Sequence, residues 1–182
     1  HKGLCDALAW LNNSDTSKWL KKFLHSTNLD HRYLAVRTYS ALRVDPGPAL
    51  EQLLASAESC EHERLLARSL RLVGELKRKN GLSHLTPFLN DERPTVKFWA
   101  LWSAVLLGDV GKVDQLQPFV EANSPLWSAA MQVYCRTAGF AKSRNLISSL
   151  AKTKENLRLS ILAAAALGDP KVVPWLIAQM QE

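Results

Sequence analysis

Two stretches of this chain resemble one another, 60 residues apart. Trp102-Ser103-Ala104-Val105-Leu106-Leu107-Gly108-Asp109 matches Leu162-Ala163-Ala164-Ala165-Ala166-Leu167-Gly168-Asp169. Between them, Ala138-Gly139-Phe140 falls where a third copy ends, and upstream Val73-Gly74-Glu75 fills the same slot. A small residue recurs with the copies. Ala35, Ala67, Ala100, Ala130 and Ser160 are spaced by 32, 33, 30 and 30 residues. Apolar residues at helical spacing surround it: Leu34, Thr38 and Leu42; Leu66, Leu70 and Val73; Leu101, Ala104 and Leu107. Such a period is the signature of stacked helical hairpins, each too small to bury its apolar face alone. The small position lets neighbouring helices approach closely. The parse is six hairpins, at residues 1–27, 28–57, 58–90, 91–122, 123–152 and 153–182, forming one all-α domain over 1–182.

The punctuation agrees with this parse. Gly47-Pro48, Ser124-Pro125 and Asp169-Pro170 each join a capping residue to a proline suited to a first helical position, and Pro94 follows Asp91 in a first turn. Gly81, Gly108 and Gly139 fall where first helices should stop. Lys77-Arg78-Lys79, the densest basic cluster, sits at a helix end where cations complement the macrodipole. No run alternates apolar and polar residues between hairpin turns. At 47% hydrophobic and 22% charged residues, the chain can build a continuous core without staples. The three cysteines, Cys5, Cys60 and Cys135, are too few and too far apart for a disulfide framework, which predicts buried thiols in a reducing, cytoplasmic setting. No run of about 18 apolar residues predicts a membrane span. The chain starts at His1, not Met, and reads as a piece of a longer protein.

The repeat units resemble known types. Leu167 to Ile177 is similar to the HEAT-like repeat first noted in phycobilin lyases, and Asp91 to Leu107 follows the same pattern. Three motifs in order extend the resemblance: Ala41-Leu42-Arg43-Val44-Asp45-Pro46-Gly47, Phe98 to Asp109, and Leu167 to Met180. Together they resemble an uncharacterised family of proteobacterial HEAT-like proteins often encoded among type VI secretion genes. The resemblance implies a right-handed α–α superhelix of the HEAT/armadillo kind. It also implies a possible link to a bacterial secretion system, but no mechanism.

Catalytic signatures are missing from the sequence. There is no GxSxG elbow, no GxGxxG or P-loop, and no HExxH pair among His1, His25, His31, His62 and His84. Cys60-Glu61-His62-Glu63 groups metal-capable residues, but neighbours two apart on a helix diverge, so it reads as a solvated first turn. No cofactor, metal or catalytic residue is nominated. Of the six tryptophans, Trp99 and Trp102 share a helix face and read as core between repeats, while Trp175 is expected to be the most exposed. Arg32, Arg64 and Lys97 each lie three residues before the small alanine and predict a structural ladder, with Asp30 and Asp91 as partners.

A non-catalytic protein-binding scaffold follows as the leading expectation, because solenoids present successive second helices as one long surface. Lys112, Gln115, Lys142, Arg144, Lys171 and Trp175 are the contacts predicted on it. The net charge of +6 keeps nucleic-acid binding open, as in HEAT-like DNA glycosylases, although the charges do not cluster. A bilin-lyase-like enzyme rests on repeat type alone.

Overall fold

A computed structural model of the protein describes residues 14–120, 124–150 and 154–179, together with Gly3 and Ala7. The expectations for His1, Cys5, Trp10 and Met180 lie outside the described residues. Each copy from residue 28 onward forms a helix followed by a second helical element, shorter in all but the copy of Trp127–Thr137 and Phe140–Leu150, where both have 11 residues. In chain order the helices are α1 (Ser14–Leu24), α2 (Leu29–Leu42), α3 (Pro48–Ala55), α4 (Ala57–Glu61), α5 (Glu63–Glu75) and α6 (Leu82–Leu85). There follow α7 (Pro94–Leu106), α8 (Trp127–Thr137), α9 (Phe140–Leu150), α10 (Lys154–Leu167) and α11 (Val173–Gln179). No strand occurs among the described residues. Several second elements are 3₁₀ rather than α: Thr86–Phe88, Val110–Val120 and Pro170–Val172. Each contains a proline, Pro87, Pro118 or Pro170, which removes an N–H from the α-ladder. None of the described helices is long and apolar enough to cross a membrane.

The chain divides into two compact units, residues 1–107 and 108–182. In the first, α2, α5 and α7 lie side by side and run the same way. Their buried seam includes the recurring small residues: Ala35 and Ala100 are 0% exposed and Ala67 5%. Leu65, Leu66, Leu70, Leu72 and Leu101 are buried too, each at most 1% exposed. Burial of one such leucine contributes about 2 kcal/mol. In the second unit, α8 packs between the 3₁₀ segment 110–120 and α10. Ala130 and Ser160 hold the same register and are fully buried there, beside Leu116, Met131, Ala163 and Ala164.

Two glycines play parts the repeat pattern did not assign. Gly74 is not a helix stop. It lies inside α5, where a β-carbon would come within 2.8 Å of the Ser103 Cα and 2.5 Å of its hydroxyl oxygen. The Ser103 hydroxyl meanwhile donates to the Leu70 carbonyl at 2.7 Å, so α5 and α7 touch backbone to side chain. Gly81 is not a stop either, since it has φ −73° and sits against Val73. The left-handed residues that end α2 and α5 are Arg43 (φ 53°) and Lys77 (φ 51°). The two Leu-Gly-Asp glycines do end their helices, Gly108 at φ 106° and Gly168 at φ 65°, a region that favours glycine.

Arginines clip neighbouring hairpins together. Arg78, read from sequence as a helix-end cation, reaches back to Asp45 at 2.6 Å, the Gly47 carbonyl at 2.8 Å and Glu51 at 2.7 Å. Arg93 pairs with Asp91 and donates to the Cys60 carbonyl at 2.7 Å. The Asp91 carboxylate also accepts the Arg93 backbone N–H at 2.9 Å, which holds it beside Arg93 and away from the Lys97 ladder expected for it. Cys60 is half-buried and Cys135 buried, both free thiols, and burial pushes the Cys135 thiol up to about 11.

Replacing Gly74 by alanine should cost about 1–3 kcal/mol, because the added methyl meets backbone. Gly111→Ala, where the new atom meets only Asp109 at 3.7 Å, should stay within about 0.5 kcal/mol. Urea midpoints of the two variants check both. The Arg93 side-chain hydrogen bond holds the Asp91 carboxyl below its ordinary range. A depressed carboxyl contributes stability that is complete above its unfolded pKa of about 3.9 and is lost as pH falls through the folded value. Asp91→Asn should therefore lower stability at neutral pH by about 1 kcal/mol. The gap from the parent chain should close on acidification below the ordinary carboxyl range, as followed by thermal melts across pH.

Candidate functional site

The outer face of α2, α5 and α7 carries Tyr33, Arg37 and Ser40 on α2, Arg64, Arg68, Arg71 and Glu75 on α5, and Trp99 and Trp102 on α7. On α5, Arg64, Arg68, Arg71 and Glu75 fall at i, i+4, i+7 and i+11, one stripe of a helix whose opposite side is leucine. The buried seam sets the stripe against its neighbours. Arg64 lies over the Tyr33 ring at 4.9 Å and Arg37 at 5.9 Å from the same ring. Arg71 lies over Trp99 at 4.5 Å. Trp99 meets Phe98 and Trp102 edge to face, with centroids 4.8 and 5.3 Å apart.

A polar knot fixes the middle of this face. Glu75 accepts from Arg71 Nε at 2.7 Å and pairs with Arg68 at 3.6 Å. The Ser40 hydroxyl donates to Glu75 and accepts from Arg68, tying α2 to α5. Burial lowers the Arg68 pKa, and the Glu75 carboxylate opposes that. Arg68 Nε and Trp102 Nε1 are buried and meet no acceptor among the described residues.

Two hollows open on either side of Arg64. One, of about 230 Å³, has Phe23, Leu34 and Tyr33 as its apolar wall, with His31, Arg37, Arg64 and Asp30 around it. The other, of about 180 Å³, lies among Arg64, Arg68, Arg71, Thr95 and Trp99. Tyr33 belongs to both. Phe23 comes from α1 and stacks on His31 at 4.9 Å, and Trp19, one turn before it, is 54% exposed.

The residues predicted as contacts all belong to the second unit. There Gln115, Lys142, Arg144 and Lys171 are exposed, and Lys112 and Trp175 are half-buried. A wider, more open depression of about 570 Å³ lies among Asp114, Gln117, Tyr134, Lys142, Asn145 and Leu146, so Lys142 is the one predicted contact that lines it. Lys142 is bound to Asp114 at 2.7 and 2.9 Å, which raises the lysine pKa and neutralises the charge it was expected to present. The most exposed described tryptophan is Trp19 rather than Trp175, while Trp99 is 9% exposed, as its place between helices demands.

The arginine ladder takes a different form from the one read in sequence. Arg32 donates to the Ser26 carbonyl and to Ser59, and Arg64 finds an aromatic ring in place of an aspartate. His62, in the compact Cys60–Glu63 set, is the N-cap of α5, its Nδ1 accepting the Leu65 N–H at 3.2 Å. Cys60 donates to the Leu54 carbonyl. No group of three metal-capable side chains occurs among the described residues. The Arg-aromatic face was missed because its members come from three copies. The legible signal was the stripe of Arg64, Arg68, Arg71 and Glu75.

Glu75→Gln should destabilise the chain by about 2 kcal/mol, because it leaves two part-buried guanidiniums without their carboxylate. Adding Arg68→Met should recover part of that loss, and urea unfolding of the single and double variants measures both. No protein-family model, curated protein or solved structure matches the chain.

Proposed function

We propose that this chain is a non-catalytic, HEAT-like scaffold that binds a protein partner through the outer face of α2, α5 and α7. The observation that carries the reading is the set of three guanidiniums laid over aromatic rings, Arg37 on Tyr33 of its own helix and Arg64 and Arg71 on rings of neighbouring helices. Arginine, tyrosine and tryptophan are the residue types that dominate protein-binding hot spots. A guanidinium already lying over a ring loses little further freedom on binding, and Arg37 and Arg64, which reach no carboxylate among the described residues, keep N–H edges to fork onto carboxylates. The hollows on this face, of about 230 and 180 Å³, are smaller than the roughly 300 Å³ at which small-molecule sites begin. They suit single side chains of a partner better than a cofactor or substrate.

Nucleic-acid binding is the second reading, favoured by the +6 charge. Against it, single-strand binding relies on open rings for base stacking. Here Trp99 is buried, and arginines cover it and Tyr33. Selection of random peptides displayed on phage against the full chain discriminates the two. The scaffold reading expects enrichment of acidic sequences whose binding weakens with added salt. Recovery of no binding peptide, together with salt-sensitive binding of labelled DNA, would contradict it.

A further inference from the structure

Four arginines of the first unit spend their charge within the chain. Arg68 and Arg71 share Glu75, Arg78 holds Asp45 and Glu51, and Arg93 holds Asp91. Arg37 and Arg64 are different. Both lie over Tyr33, at 5.9 and 4.9 Å, and neither reaches a carboxylate among the described residues. They stand at the mouth of the 230 Å³ hollow, whose wall is apolar: Phe23, Leu34 and the Tyr33 ring. An apolar hollow beside two unneutralised guanidiniums is complementary to an apolar side chain flanked by anions.

We propose that this hollow is a docking site for an acidic peptide segment of a partner protein. One leucine- or phenylalanine-sized side chain enters between Phe23, Leu34 and Tyr33, and neighbouring carboxylates fork onto Arg37 and Arg64. A volume of about 230 Å³ has room for one such side chain. With Cζ placed over the Tyr33 ring, each guanidinium keeps N–H donors that can fork onto a ligand carboxylate. Asp30, the one carboxylate at the hollow among the described residues, disfavours an acidic residue on its own side and so gives the bound segment a direction. This inference rests on the scaffold reading and assigns it a pocket and a partner chemistry.

The test uses the full chain and three labelled probes in fluorescence anisotropy. They are an acetylated Glu-Glu-Leu-Phe-Glu-Glu amide, the same peptide with glutamine for every glutamate, and a short oligothymidylate. The acidic peptide should bind, the neutral one about tenfold or more weakly. Arg37→Gln with Arg64→Gln should weaken the acidic peptide by about tenfold or more while leaving the melting temperature near that of the parent chain. Should that double variant melt early, the comparison of the two peptides on the parent chain decides. Equal binding of both peptides, or binding of the acidic one that the folded double variant leaves unchanged, overturns the pocket while a protein-binding scaffold stands. Binding of the oligothymidylate alone overturns the pocket and the scaffold reading together.

Discussion

The contact on which the first unit depends is the close approach of α5 to α7, where Gly74 leaves room for Ser103 and Ser103 bonds to the Leu70 carbonyl. Ala35, Ala67 and Ala100, small residues on the same three helices, are buried as well. With larger residues there the helices would stand farther apart, and the side chains on their outer faces would lose their partners. At the observed distance Arg71 reaches Trp99, Arg64 reaches Tyr33, and Ser40 reaches both Arg68 and Glu75. The outer face is thus a consequence of the inner one.

That dependence explains why so many arginines are tolerated side by side. Arg68 and Arg71 disfavour one another's charge, and burial works against Arg68 further. Glu75 and the Ser40 hydroxyl offset this at the centre, and ring faces support Arg64 and Arg71 toward the edges. A guanidinium suits this role because it is flat, stays charged and is more weakly hydrated than an ammonium. Lysine at the same positions would stack poorly and keep its water.

Much of the helical framework was legible in the sequence because it rests on local signals. The small residue of each copy is buried in all five places, Ala35, Ala67, Ala100, Ala130 and Ser160. The proline starts at Pro48, Pro94 and Pro170 and the stops at Gly108 and Gly139 are likewise local. What failed depended on neighbours. Gly74 looks like a stop until Ser103 is placed against it, and Asp91 looks like a ladder partner until its own turn delivers it to Arg93. The pairing of Lys142 with Asp114, 28 residues away, could not be read locally either. The arginine face joins residues from three copies, and only its α5 stripe could be read from one stretch of chain.

The central claim is that a close-packed helix seam holds guanidiniums in place over aromatic rings before any partner arrives. Side-chain NMR of the free protein tests this most directly. The account predicts that the Arg71 side-chain protons are shifted upfield by the Trp99 ring, that the Arg68 and Arg71 Nε–H signals are sharp and slow to exchange, and that Gly74→Ala disperses these features. Arginine side-chain signals at random-coil positions in the folded parent chain, unchanged by Gly74→Ala, would contradict it.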